Sequence, residues 1–152
     1  MVPGFTTRRH YFIMDFQPLD RKLPFKGTEA VDVEILDTFP YEYPGRSIDV
    51  EIVTDEFTAV CPFSGLPDFG TIIVKYIPDK LCIELRSLKY YLLSYRQVGI
   101  FYEHLVNRVL DDLVKVCAPL KMTVEAEYTV RGGLKTRAVA CWERDETDTE
   151  IE

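Results

Sequence analysis

The chain has few histidines and a deficit of basic charge. Its two histidines, His10 and His104, and its four cysteines, at 61, 82, 117 and 141, form no Cys-X-X-Cys pair. A zinc site of Cys and His at metal-ligand spacing is therefore disfavoured. With 18 Lys and Arg against 25 Asp and Glu, the net charge is −7. A nucleic-acid footprint needs clustered cations, so no direct nucleic-acid partner is expected. No apolar run approaches the roughly 20 residues of a membrane-spanning helix. The segment from Met1 to Arg9 lacks the apolar core of a signal peptide. Both absences point to a cytoplasmic protein with no membrane partner, and in that compartment disulfides are disfavoured. Cys82, Cys117 and Cys141 have apolar neighbours and read as small core residues.

The 152 residues, 47% of them hydrophobic and 28% charged, suit a single domain spanning 1–152 with a real core. Residues 1–29, with prolines at 3, 18 and 24, read as an N-terminal arm. Residues 143–152, with six acidic residues and one Arg, read as a solvated acidic tail. Between them, alternating apolar and polar residues predict strands over Ala30–Leu36, around Ile48–Val53, over Thr71–Ile77 and over Lys80–Leu85. Pro78-Asp79 should close the last two into a hairpin. Leu88, Tyr91, Leu92 and Tyr95 recur at helical spacing until Gly99 interrupts. A longer stripe from Leu105 to Cys117 predicts a second helix that Pro119 stops. Thr123–Val130 and Leu134–Trp142 are strands about an Arg131-Gly132-Gly133 turn. Two strands, two consecutive helices and two strands, with further strands before them, indicate an α+β fold with an antiparallel sheet.

Two segments carry candidate chemistry. In Cys61-Pro62-Phe63-Ser64-Gly65-Leu66-Pro67-Asp68-Phe69, a turn-forming spacer can return Asp68 to the Cys61 sulfur. A thiol acts as a nucleophile when its pKa is lowered and a proton carrier is near. On spacing alone, the pair is equally a structural Cys beside a turn Asp. In Glu84-Leu85-Arg86-Ser87-Leu88-Lys89, a strand hands over to a helix. Glu84 needs a partner there, Ser87 can cap the helix, and Arg86 and Lys89 suit an anionic ligand such as a phosphate-bearing cofactor. Taken alone, the segment reads more readily as an ordinary capped helix with solvated cations. At Phe101-Tyr102-Glu103, Glu103 gains from the helix dipole in any case. It could also accept the paired N–H donors of a purine-like base, with Tyr102 donating or stacking.

Together these segments resemble the NADPH-dependent 7-cyano-7-deazaguanine reductases of queuosine biosynthesis, the QueF family, in its short single-domain form. The resemblance runs over most of residues 38–142. It rests on the Cys-Pro-X-Ser/Thr-Gly-X-Pro-Asp-Phe segment at Cys61–Phe69, on the family signature at Glu84–Tyr91, and on Ser94-Tyr95-Arg96 and Arg131-Gly132-Gly133. It implies a tunnelling fold of ββααββ order, assembled as a homo-oligomeric barrel of stacked rings, expected as a decamer, with sites between subunits. It further implies that Cys61 attacks the nitrile to form a covalent thioimide and that Asp68 handles the proton. Ile83, Glu84, Leu85, Tyr102 and Glu103 would hold the deazaguanine. Arg86, Ser87 and Lys89 would bind NADPH, the expected cofactor, which reduces the nitrile to an aminomethyl group. The chain departs from the family at Arg86, where a Lys is usual, and at Tyr102, where the family usually has His. A phenol of pKa ~10 donates a hydrogen bond but shuttles protons poorly near neutral pH. Two alternatives are a QueF-like amidinotransferase, which attacks the same nitrile with the same Cys but uses ammonia to make archaeosine on tRNA and is opposed by the Glu84–Tyr91 cofactor signature and the acidic charge, and a non-enzymatic deazapurine-binding protein on the same fold.

Overall fold

The computed structural model describes residues 23–145. Most of the N-terminal arm, including His10, and residues 146–152 of the tail lie outside that range. Within it, β1 (Thr38–Pro40), β2 (Val50–Val60), β3 (Pro67–Ile77), β4 (Leu81–Ile83), α1 (Leu85–Leu93), α2 (Tyr102–Cys117), β5 (Lys121–Tyr128) and β6 (Arg137–Glu143) follow in chain order. The main sheet is antiparallel in the order β2-β3-β5-β6, and β1 pairs with β4 in a separate two-stranded ribbon. The fold is therefore a mixed α+β one, with both long helices inserted between the two strand pairs of the main sheet.

A strand buries one face through its period of two. In β3 that face carries Asp68, Gly70, Ile72, Val74 and Tyr76, all buried. In β5 it carries Met122, Val124, Ala126 and Tyr128. Helix α2 covers this surface with Leu105, Val106, Val109, Leu110, Leu113 and Cys117, packing on β5 and β6. Each such Leu or Val contributes about 1.5–3 kcal/mol when fully buried. The helix ends where Ala118 takes a left-handed conformation (φ 42°) before Pro119. A bulge interrupts β2, since Thr54 faces Ile72 while Phe57 faces Gly70. The core-facing set accordingly changes from Val50 and Ile52 to Phe57 and Ala59.

Three sequence-based expectations are corrected. Lys80–Leu85 does not form a hairpin with Thr71–Ile77: β3 has both edges filled by β2 and β5, so β4 pairs with β1 instead. Ala30–Leu36 is not a strand but two short 3-10 turns, Thr28–Ala30 and Val33–Ile35. Local bonds from Val31 N–H to Thr28 and from Leu36 N–H to Val33 satisfy its backbone, while Val31, Val33 and Ile35 still pack on the core. Cys141 is exposed, unlike Cys82 and Cys117. It lies on β6 with its side chain opposite in sense to buried Ala140.

Candidate active site

The Cys61 turn is built from its own backbone. Cys61 N–H donates to the Leu66 carbonyl at 2.9 Å, and Gly65 N–H returns to the Cys61 carbonyl at 2.8 Å. The Ser64 hydroxyl accepts from Leu66 N–H at 3.2 Å. Gly65 has a φ of +72°, which an L side chain rarely adopts. Past this turn Asp68 enters β3 on the core-facing side, directly across from Ala59. Cys61 and Asp68 thus line one cavity of about 310 Å³, shared with Phe63, Phe101, Tyr102, Glu103 and Arg131. That volume is at the small end for ligand pockets, about 300–1,000 Å³.

Burial acts to raise the Cys61 thiol, but it is outweighed. The Ser64 hydroxyl, the backbone groups of Ser64 and Phe63, and the Arg131 guanidinium together lower its pKa from 9.0 to about 7. Near neutral pH about half of such a group is thiolate. The Arg131 pKa is raised in return, chiefly by its contact with Cys61. Arg131 also forms an ion pair with the buried carboxylate of Asp68. One guanidinium therefore joins the thiol and the carboxylate.

Tyr102 both donates and stacks. Its hydroxyl donates to Asp68 Oδ1 at 2.8 Å, and its ring lies on that of Tyr128, with centroids 3.5 Å apart and planes at 14°. Burial, followed by the Asp68 contact, pushes the phenol up to about 12, so at neutral pH it is a fixed donor. Tyr102→Phe keeps the stack but leaves Asp68 with one donor fewer. A loss of about 1–2 kcal/mol is expected, read as a fall of a few degrees in Tm. An unchanged Tm would mean that the hydroxyl is not held by Asp68. Glu103 sits in the first turn of α2 at the same cavity, next to Phe101, whose ring meets Phe63 edge-on at 5.6 Å.

None of Ile83–Lys89 lines this cavity. Glu84 is itself the N-cap of α1, accepting from Arg86 N–H at 2.9 Å and Ser87 N–H at 2.8 Å. Those bonds hold its carboxyl below the usual carboxylate range. The cap expected of Ser87 is thus made by Glu84. The buried Ser87 hydroxyl instead donates to the Glu84 carbonyl at 2.8 Å and accepts from Asp37 N–H at 3.0 Å. Ile83 is buried, whereas Leu85 and Arg86 are exposed. Lys89 is half exposed and pairs with Glu56.

The motif residues therefore fall into two groups on one chain: Cys61, Asp68, Tyr102 and Glu103 together, and Ile83 to Lys89 apart. Arg131 was legible only as a turn residue. The signal for its role lies in the register, because Gly70 faces Tyr128 and Thr129 N–H donates to Phe69, which brings the β5–β6 turn level with Asp68.

The family model described as "QueF-like protein" matches residues 67–147. The chain is 50% identical over 124 residues to the NADPH-dependent 7-cyano-7-deazaguanine reductase of Caldicellulosiruptor bescii, covering 82% of this chain and 95% of that protein. It is 58% identical over 101 residues to the protein of the same name from Chlorobaculum tepidum, covering 66% and 86%. The counterpart in Chlorobium luteolum is 61% identical over 101 residues, covering 66% and 87%. Among solved structures, the apo form of the archaeosine synthase QueF-Like superposes with a TM-score of 0.55 at 23% identity, covering 62% of this chain and 91% of that one. At that identity the likeness concerns the fold alone. The reductases align at half identity or better along most of their own length, and on that footing the chain belongs to the QueF family.

Proposed function

We propose that the protein is an NADPH-dependent nitrile reductase that converts 7-cyano-7-deazaguanine to 7-aminomethyl-7-deazaguanine. The observation that carries this reading is the thiol of Cys61, lowered to about 7, in one cavity with Asp68 and Glu103. Cys61 Sγ adds to the nitrile carbon, forming the C–S bond of a thioimide, and the proton that leaves the thiol passes by way of Asp68 to the nitrile nitrogen. Arg131 contacts both groups, lowering the pKa of the thiol and pairing with the Asp68 carboxylate. Glu103 accepts the N–H edge of the guanine-like ring, and Phe63 and Phe101 offer apolar surface to its faces. Tyr102 orients Asp68 rather than carrying a proton itself.

The residues proposed for NADPH suit its phosphates through side chains rather than helix amides. The N–H groups of Arg86 and Ser87 at the start of α1 are already taken by Glu84, so the positive side-chain charge there is that of Arg86 and Lys89. Arg86 is exposed, and Lys89 is held only by a half-exposed ion pair, which is weak and exchangeable. Ser87 would contribute by fixing the turn that carries them. When bound, NADPH supplies hydride, twice for each nitrile reduced.

The separation of Ile83–Lys89 from the Cys61 cavity favours a site completed by a second copy. In that arrangement Ile83, Glu84 and Leu85 of one subunit would meet the Cys61 cavity of another. The outer strands β2, apart from its bridged end at Val60, and β6 each have one edge unpaired within the described sheet, which suits side-by-side assembly of a single tunnelling-fold domain into a ring, and of rings into a stacked barrel. No helix among the described residues is long and apolar enough to cross a membrane, in keeping with a cytoplasmic setting. Adding 7-cyano-7-deazaguanine to the assembled protein should consume two NADPH per substrate, followed by loss of NADPH absorbance. No consumption by folded, assembled protein at any pH from 6 to 9 would sink the reading.

A further inference from the structure

We infer that Leu23–Lys26 is a positioning strap that clamps the Cys61–Pro67 turn to the Gln97–Ile100 segment, and so fixes the nucleophile against Tyr102 and Glu103. This role presupposes that Cys61 is the nucleophile. The segment is joined to both by backbone. Leu23 N–H donates to the Ser64 carbonyl at 3.1 Å. Lys26 N–H donates to the Gln97 carbonyl at 2.7 Å, and its carbonyl accepts from Gly99 N–H at 2.9 Å. On the opposite side of the same short segment, Val60 N–H donates to Val98 at 3.0 Å and Ile100 N–H to Val60 at 3.2 Å. Residues 98–100 thus run as a short extended piece between Lys26 and Val60, in parallel bridges to each. Val60 leads directly into Cys61, and Ile100 leads to Tyr102 and Glu103.

Two glycines mark the closeness of the clamp. A Cβ at Gly65 would overlap the Leu23 carbonyl, and a Cβ at Gly99 would overlap the Phe25 ring. Each glycine belongs to one of the two clamped segments, and each is closed off by the same four-residue stretch. Leu23 to Lys26 are themselves exposed, so the clamp acts through these backbone bonds and the close approaches at Gly65 and Gly99, where packed atoms leave no slack. The turn so held is the one whose Ser64 and Phe63 groups stabilise the thiolate. Loosening the strap should therefore weaken those bonds without touching a reacting group.

The test is site-resolved alkylation of the full-length chain by iodoacetamide across pH 5–10, read by peptide mass. Exposed Cys141 is the internal reference, and buried Cys82 and Cys117 report unfolding. Leu23→Pro removes the N–H that holds Ser64; Phe25→Ala, a milder change, removes the ring against Gly99. Both should raise the Cys61 midpoint above 7, with the rate at pH 7 falling about five-fold for a rise of one unit, while Cys141 is unchanged. An unchanged Cys61 profile in both variants would overturn the strap. So would joint reactivity of Cys82 and Cys117 in both, since the segment would then belong to the general fold. Alkylation needs neither substrate nor NADPH, so failure here is distinct from failure of the reductase assay.

Discussion

Cys61→Ala is expected to lose the covalent adduct and to slow turnover on the order of a million-fold, the scale seen when a nucleophile acting with its partners is removed. The wild-type protein, given 7-cyano-7-deazaguanine without NADPH, should gain the mass of the intact substrate, because addition of a thiol to a nitrile expels nothing. The adduct should form faster as pH rises through about 7, where the thiol ionises, and should disappear when NADPH is added. The sign follows from the lowered pKa: the thiolate is present above that value and is lost below it. The fold should survive the substitution, since Cys61 is only partly buried and its backbone bonds remain. An adduct of the same mass in the Ala variant would place the reacting thiol elsewhere, with exposed Cys141 the first to examine.

Asp68→Asn should separate thiol activation from proton handling. Asn keeps an oxygen to accept from Tyr102 and Arg131 but holds no proton to give. Turnover is expected to fall about 10²–10⁴-fold, the usual contribution of a positioned general acid or base. Alkylation of Cys61 should not slow. Once the carboxylate is gone, the charge of Arg131 is no longer shared with it, so the thiolate gains if anything. Parallel losses in alkylation and turnover would mean that Asp68 acts by activating the thiol, and the division of roles drawn above would be wrong. Tyr102 cannot take over the lost proton step, because its phenol stays protonated up to about 12.

Much of this arrangement was legible in the chain, where local pattern and tertiary outcome agree. The stripe from Leu105 to Cys117 marks α2 because a helix needs one apolar face, and that face is the one buried. Thr71–Ile77 reads as a strand for the same kind of reason. Its true start at Pro67 is hidden by turn-forming residues, and that hides the inward aim of Asp68. The Lys80–Leu85 pairing failed because a hairpin is read from neighbours in sequence, whereas a strand accepts partners on only two edges. The Glu84 motif was legible as a charged junction, but not which side chain caps the helix. Arg131 was hidden longest: an Arg opening a Gly-Gly turn is unremarkable until strand order sets that turn beside Asp68.

The bulge in β2 has a use beyond the sheet. Its extra residue leaves Glu56 off the ladder, where its carboxylate pairs with Lys89 on α1. Lys89 therefore rests with a counter-ion already in place. If Lys89 takes a cofactor phosphate as proposed, arrival of the cofactor is an ion exchange rather than the filling of an empty cationic site. One carboxylate leaves as one phosphate oxygen enters, and the local charge changes less than a count of cations suggests. Such an exchange favours an anion with more than one negative oxygen over chloride or a lone carboxylate, so selectivity among anions begins with a side chain that never needs to touch the cofactor.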